Sequence, residues 1–258
     1  MTSTTIEIPG AQAQTLHGLL DMPEGGPPLA YALFAHCFTC SKNFRTTVQL
    51  TRALTARNFA VLRFDFTGLG ESEGAFADTN FTSNVQDIVA AADYLTRNFE
   101  SPSLMFGHSF GGTAVLAASA KVPGLRAVAT INSPFEPLHV RHLFCHRLDD
   151  IEKHGEAAVT LAGRSFTIKR QFLEDISAQK MHDLVRDLDV PLMIFHAPQD
   201  ETVDVENARM IYQAARHPKS FVSVDGADHF LRNPSDARFV ADMLATWSSR
   251  YVAGRNAD

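Results

Sequence analysis

Residues 103–112 read Ser-Leu-Met-Phe-Gly-His-Ser-Phe-Gly-Gly. Ser103–Phe106 has the length and apolar character of a short buried strand, and Gly111–Lys121 carries a helical pattern. Between them, Gly107-His108-Ser109-Phe110-Gly111 fits G-x-S-x-G, with Gly112 after it. A serine at so sharp a strand-to-helix turn sits in a strained backbone conformation, its oxygen lifted out of the sheet edge. Side chains two residues to either side would collide with the neighbouring strand and helix, so both places need glycine. The turn also aims a helix N-terminus at the serine, where free backbone N–H groups can hold a developing negative charge.

Outward from this turn, buried strands alternate with helices. Leu29–Ala35 is a near-continuous apolar run, as a strand covered on both faces requires. Phe44–Arg57 has apolar residues at helical spacing, and Ala60–Phe66 reads as a strand. Val85, Ile88, Val89, Ala92 and Leu95 share one helix face. Ala127–Asn132, Leu192–His196 and Ser220–Val224 read as strands, Val205–Ala215 and Asp236–Arg250 as helices. This alternation predicts an α/β fold with a mostly parallel central sheet and helices on both faces. Thr5–Ile8 and Leu16–Met22 read as strands with no helix between them, and the turn cluster Pro23–Pro28 follows. That edge of the sheet is expected to be antiparallel.

Pro134–Asp189 breaks the rhythm. It holds the His-rich HVRHLFCH (His139–His146), a hairpin-like VTLAGRSFTI (Val159–Ile168) with Ala-Gly-Arg at its turn, and a helical run, Lys169–Arg186. The stretch is expected to be a small cap over one end of the sheet, selecting substrate. Dividing 258 residues by ~150 per domain gives a little under two. One domain spanning 1–258, with a cap insertion at about 134–189, accounts for the remainder.

Composition narrows the class. Apolar residues make up 45% and charged residues 20%, ordinary for a globular chain and incompatible with wholesale disorder. The 23 Lys+Arg against 29 Asp+Glu give −6, which disfavours nucleic acid as partner because phosphate binding needs a basic surface. The longest apolar stretch, near Leu29–Cys40, is interrupted by His36 and falls short of the ~20 residues of a membrane span. Three cysteines are a sparse, odd set that suits a reducing compartment, and no signal peptide is visible. A cytoplasmic protein without a membrane partner is the expectation.

A nucleophilic serine needs a base, and the base an orienting acid. LMIFHAPQDETV places Asp200 four residues beyond a strand end, and FVSVDGADHF places His229 just beyond the next strand. Asp204, Asp225 and Asp228 compete for the acid role. Asp228 adjoins His229 in the chain and would present poorly, and Asp204 lies further toward the next helix, so Asp200 is preferred. All three candidates, Ser109, Asp200 and His229, lie at C-terminal strand ends, where open α/β sheets keep their sites. The segment FAHCFTCSKN (Phe34–Asn43) follows a buried strand and can supply a second backbone N–H. The oxyanion donors expected are the amides of Phe38 and Phe110, each worth about 2.7–4 kcal/mol in the transition state.

The elbow, the acid and base loops and LRFDFTGLGESEG (Leu62–Gly74) together resemble the α/β-hydrolase superfamily over nearly the whole chain. HCFTCSKN, RFDFTGLGESEG, FTIKRQFLED and ARHPKSFVSVDGADH more narrowly resemble the hydrolase half of bacterial bifunctional proteins, in which an α/β-hydrolase precedes an OsmC-type peroxide-handling domain. The core is also similar to feruloyl and cinnamoyl esterases, which carry a small cap after the sixth strand. The resemblance implies a serine carboxylesterase-type hydrolase of small acyl or aryl esters, with no cofactor. It carries over Ser109, Asp200 and His229 as triad and the Phe38 and Phe110 amides as oxyanion hole. The superfamily usually has glycine where this chain has Cys37. The expectation is a stand-alone relative or an excised half, with a fused or associated OsmC-type domain as possible partner. Other acyl hydrolases (peptidase, thioesterase, lactonase) and a non-catalytic stress-response module are the alternatives.

Other residues carry weaker signals. Cys37-Phe38-Thr39-Cys40 is a C-x-x-C, read first as two small residues in a tight loop and second as a redox pair. His139, His142 and His146 with Cys145 have helical spacing, but no second ligand cluster accompanies them, and a polar cap face is expected rather than a metal site. His36 and His196 are expected to be hydrogen-bonded structural groups, and Asp65 to tie down its loop. Phe38, Phe110 and Phe230, with Phe135 and Phe144 of the cap, suggest an aromatic-lined pocket.

Overall fold

The computed structural model of the protein describes residues 1–253. The expected domain span runs to 258, and its last five residues lie outside the described part. The strands of the main sheet are β1 (Thr2–Pro9), β2 (Thr15–Met22), β3 (Ala30–Ala35), β4 (Phe59–Phe64), β5 (Leu104–His108), β6 (Ala127–Ile131), β9 (Leu192–His196) and β10 (Lys219–Ser223). They lie side by side in the order β1-β2-β4-β3-β5-β6-β9-β10. From β4 to β10 every pair is parallel, and β1 and β2 add an antiparallel edge. Parallel neighbours put the C-terminal ends of β3, β5, β6, β9 and β10 on one edge of the molecule, and the site is built there.

The continuous apolar strands follow from two covered faces. In β3, Tyr31, Leu33 and Ala35 pack with α2 (Phe81–Asn98) and α3 (Phe110–Ala118), while Ala30, Ala32 and Phe34 pack with α1 (Arg45–Thr55) and α8 (Pro234–Val252). Both residue parities are therefore buried, and the strand needs no polar alternation. Strand β4 stops at Phe64 rather than Phe66, because Asp65 turns its side chain to the loop after β3. The helix expected over Gly111–Lys121 starts at Phe110, and its last turn is a 3-10 turn, Ser119–Lys121.

Between β6 and β9 the chain adds a further layer whose apolar residues join the core cluster on the α2–α3 face of the sheet. A 3-10 stretch, Pro137–Arg147, leads into α4 (Leu148–His154), the hairpin β7 (Glu156–Leu161) and β8 (Arg164–Lys169), then α5 (Arg170–Ala178) and α6 (Met181–Arg186). The hairpin turns at Ala162 and Gly163, both with positive φ, as a tight two-residue turn demands. Its inward residues Ala157, Val159, Leu161 and Ile168 are buried. The helical run expected over Lys169–Arg186 is broken at Gln179, whose extended backbone ends α5, and at Lys180, whose non-helical backbone precedes α6. Polar contacts fasten this layer to the core: Gln171 to Asn80 and Thr79, Asp175 to Thr82, Lys169 to Asp78 and Arg164 to the Thr39 carbonyl.

α7 (Glu206–Ala214) connects β9 to β10. No helix among the described residues is long and apolar enough to cross a membrane.

Candidate active site

Ser109 occupies the turn between β5 and α3 with φ 53 and ψ −128, a conformation rarely adopted by a residue with a side chain. The neighbouring glycines make this possible. A Cβ on Gly107 would sit 2.5 Å from the Gly111 carbonyl, and one on Gly111 would sit 2.3 Å from the His36 carbonyl. The collisions anticipated from the motif are thus with the helix on one side and the end of β3 on the other.

The structure brings Ser109, His229 and Asp200 together from three strand ends. His229 Nε2 lies 3.1 Å from Ser109 Oγ, and His229 Nδ1 lies 2.7 Å from Asp200 Oδ2. With Nδ1–H donating to the carboxylate, Nε2 is free to accept the serine hydroxyl proton. Asp200 Oδ1 accepts the Thr202 and Val203 N–H groups at 2.8 and 2.9 Å. Burial pushes the Asp200 carboxyl up, but the hydrogen bond and charge of His229 and these two N–H donors outweigh it, so the group stays below its ordinary value. The competing acids are engaged elsewhere: Asp204 accepts the Glu206 N–H, Asp225 the Ser223 hydroxyl, and Asp228 the Arg232 N–H and guanidinium. A 420 Å³ cavity opens beside His229, bordered by Gln199, Thr202, Gly226, Asp228 and Phe230.

The loop after β3 reaches the other side of Ser109. Among the described residues, neither the Phe38 nor the Phe110 N–H has a protein acceptor, and the two rings are 5.2 Å apart. Cys37 and Cys40 are joined in a disulfide with Cα atoms 5.3 Å apart, and Cys40 N–H also donates to the Cys37 carbonyl. The pair is therefore a covalent clasp on the loop, not merely two small residues filling it. Thr39, between them, has φ 61. Lys42 is 2% exposed, and its ammonium donates to Asp65 at 2.5 Å and to Glu71. Asp65 also takes the Lys42 and Glu71 N–H groups, so it does tie down this loop. Arg63 pairs with buried Asp21 and donates to the Lys42 carbonyl at 2.6 Å.

The remaining histidines are structural or peripheral. His36 Nδ1 donates to the Cys37 carbonyl, and burial lowers its basicity. His196 Nε2 donates to the Val203 carbonyl at 2.8 Å, and burial lowers it as well. His139 donates to the Thr202 carbonyl, and His142 stacks against it with ring centroids 4.7 Å apart. The helical spacing expected through His146 is interrupted by a kink at Phe144. No group of three His, Cys, Asp or Glu among the described residues is placed to hold a metal.

The aromatic set divides. Phe110, Phe135 and Phe144 are buried in the core rather than lining an open pocket. Phe38 is half-buried beside the elbow and meets Phe76, Phe110 and Phe172, and Phe230 lies against His229. Two residues that sequence reasoning passed over stand next to the base: His108, the variable position of the elbow motif, and Asn132, at the end of β6. Both donate to the His229 carbonyl. Asn132 carried one legible signal, an amide side chain at the end of a buried strand.

Comparison with known proteins supports the fold described above. Residues 32–243 match the model of the Alpha/beta hydrolase family. The crystal structure of the esterase domain of a Rhodothermus marinus protein is 46% identical, covers 98% of this chain and 100% of its own, and superposes with a TM-score of 0.80. Est1E of Butyrivibrio proteoclasticus, solved with ferulic acid, is 22% identical over 96% of this chain and 99% of its own, with a TM-score of 0.77, a likeness of fold. The YfhR protein of Salmonella typhimurium is 24% identical over 83% of this chain and 70% of its own length.

Proposed function

The chain belongs to the alpha/beta hydrolase family, and from that premise we propose that it is a serine esterase, cleaving small acyl or aryl esters through an acyl-enzyme. The observation that carries the reading is the unbroken line Ser109–His229–Asp200 at 3.1 and 2.7 Å, with the serine on a strained elbow. His229 takes the Ser109 proton as Oγ attacks the ester carbonyl. Asp200 holds the imidazole in the required tautomer and stabilises the imidazolium. The Phe38 and Phe110 N–H groups receive the oxyanion, in line with their having no acceptor among the described residues. His229 then protonates the leaving alcohol and activates the water that releases the acid. No metal or redox group takes part in these steps.

The layer between β6 and β9 acts in this reading as the cap, over the loop that carries Phe38. The half-buried Phe38, Phe76 and Phe166 cluster supports an apolar acyl or aryl group as the part recognised. The 46% identical Rhodothermus marinus chain is an esterase domain of its protein, which suits a modular chain. An associated OsmC-type domain rests on the sequence motifs alone, and the Cys37–Cys40 disulfide weighs against the reducing setting expected from the cysteine count.

Hydrolysis of p-nitrophenyl acetate and butyrate tests the assignment. Ser109→Ala is expected to cut kcat by about 10⁴–10⁶, and a fluorophosphonate should label wild type but not the variant. Equal rates in the two proteins would end the proposal. A parallel panel of amides, thioesters and lactones should be turned over more slowly than the esters.

A further inference from the structure

Asn132 stands where three loops meet. It follows β6 in the left-handed conformation, φ 47, which asparagine tolerates better than most residues, and it is fully buried. Its Oδ1 accepts the Ala197 N–H at 2.9 Å. Ala197 begins the loop of Asp200, whose own N–H returns to the Ala197 carbonyl. Its Nδ2 donates to the His229 carbonyl at 2.9 Å and to the Asp228 carbonyl at 3.3 Å. One planar amide thus grips the acid loop with its oxygen and the base loop with its nitrogen. From the other side, His108 Nε2–H donates to the same His229 carbonyl at 2.7 Å. His108 is 2% exposed, so this bond is shielded from water.

We propose that Asn132 is a positioning residue for the reaction: its side-chain amide sets the spacing between the Asp200 and His229 loops, with His108 as the second support of the His229 backbone. The Asn132 side chain bonds only to backbone groups, and His108 bonds to the His229 carbonyl while its ring packs against the imidazole with centroids 5.0 Å apart. Each acts on the backbone that aims the imidazole, and an error of about 1 Å in such aim costs on the order of 10²-fold in rate. The amide is suited to the task because it offers donor and acceptor at a fixed separation without a charge that would compete with Asp200 for the imidazole. The inference rests on the triad reading given above.

The test separates the two arms of the amide. Asn132→Asp keeps an oxygen for the Ala197 N–H but sets an oxygen against the two carbonyls. Asn132→Gly keeps the left-handed backbone and loses both arms. In each, kcat on p-nitrophenyl butyrate is expected to fall by about 10–100-fold with KM within about threefold. The downfield proton resonance of the His229–Asp200 hydrogen bond should shift upfield or broaden. Should either variant fail to fold, His108→Leu and His108→Gln probe the same carbonyl. The first is expected to lose rate, and the second, which restores an N–H donor, to regain part of it.

Wild-type kcat and an unmoved resonance in a folded Asn132 variant would overturn the positioning role while Ser109→Ala remains inactive. Activity retained by Ser109→Ala would overturn both readings.

Discussion

On the side of Ser109 that faces β3 and β4, the loop bearing Phe38 is fastened by a disulfide and by buried ion pairs, Lys42 with Asp65 and Arg63 with Asp21. On the side that faces β6 and β9, the loops bearing Asp200 and His229 are fastened by Asn132, His108 and His196, all uncharged. The difference has a physical reason. His229 must gain and lose a proton in each half of the proposed cycle. A buried cation beside it would oppose the gain, and a second buried anion would oppose the loss. Asp200 is accordingly the one buried charge bonded to it. The Phe38 loop moves no proton, so fixed charges can hold it rigid without penalty to the chemistry.

Removing one of those charges should have the largest effect on stability. Lys42→Met leaves the Asp65 carboxylate, 1% exposed, without its cation, and is expected to cost about 3–5 kcal/mol in urea unfolding. A loss under 1 kcal/mol would mean that the loop is held by its backbone bonds alone. Opening the clasp should cost less. Closing so short a loop contributes about 2 kcal/mol, so a Cys37→Ser, Cys40→Ser double variant should lose about that much. If Phe38 N–H is an oxyanion donor, kcat should drop by up to about 10²–10³ while the downfield His229–Asp200 resonance stays in place. Movement of that resonance would show that the two sides are not independent.

The base side is expected to show itself in acid. Burial, and secondly the charge of His229, lower the His108 pKa to about 3 from an ordinary 6.5. Between those values the unfolded chain binds a proton that the folded chain refuses. The stability concerned is therefore complete above pH 6.5 and is lost as pH falls toward 3, at about 1.4 kcal/mol per pH unit. Asp87 acts in the opposite sense: burial raises its carboxyl to about 6, so the folded state holds an extra proton between pH 3.8 and about 6 and offsets part of the loss. His108→Gln should then lose less Tm than wild type between pH 6.5 and 4. Equal losses in the two would remove His108 as the acid-sensitive support.

The core of the site was legible because each member lies at a local junction with its own punctuation. Ser109 stands among glycines whose need is steric and short-range, and Asp200 and His229 each follow a buried strand within a few residues. The supports were not legible, because their partners are remote in the chain. Asn132 meets Ala197 and His229 across 65 and 97 residues, and His108 meets the His229 carbonyl across 121. Lys42 has its partner Asp65 23 residues away in the chain, and only the strand order brings the two together. The aromatic residues assigned to a pocket were divided between the buried core (Phe110, Phe135, Phe144) and half-buried loop positions (Phe38, Phe230), which periodicity in a single segment does not report.

Local steric rules and strand-helix alternation, both written in neighbouring residues, determined the parallel sheet, the antiparallel edge and the elbow at Ser109. Only the tertiary structure decided which atoms meet across the strand ends. That outcome depends on parallel strands of different lengths of intervening chain arriving at one edge in register, where a carbonyl such as that of His229 can take hydrogen bonds from two strands at once. The oxidised state of Cys37 and Cys40 belongs with it: C-x-x-C permits a bond, and the turn through Thr39 brings the two residues within bonding reach.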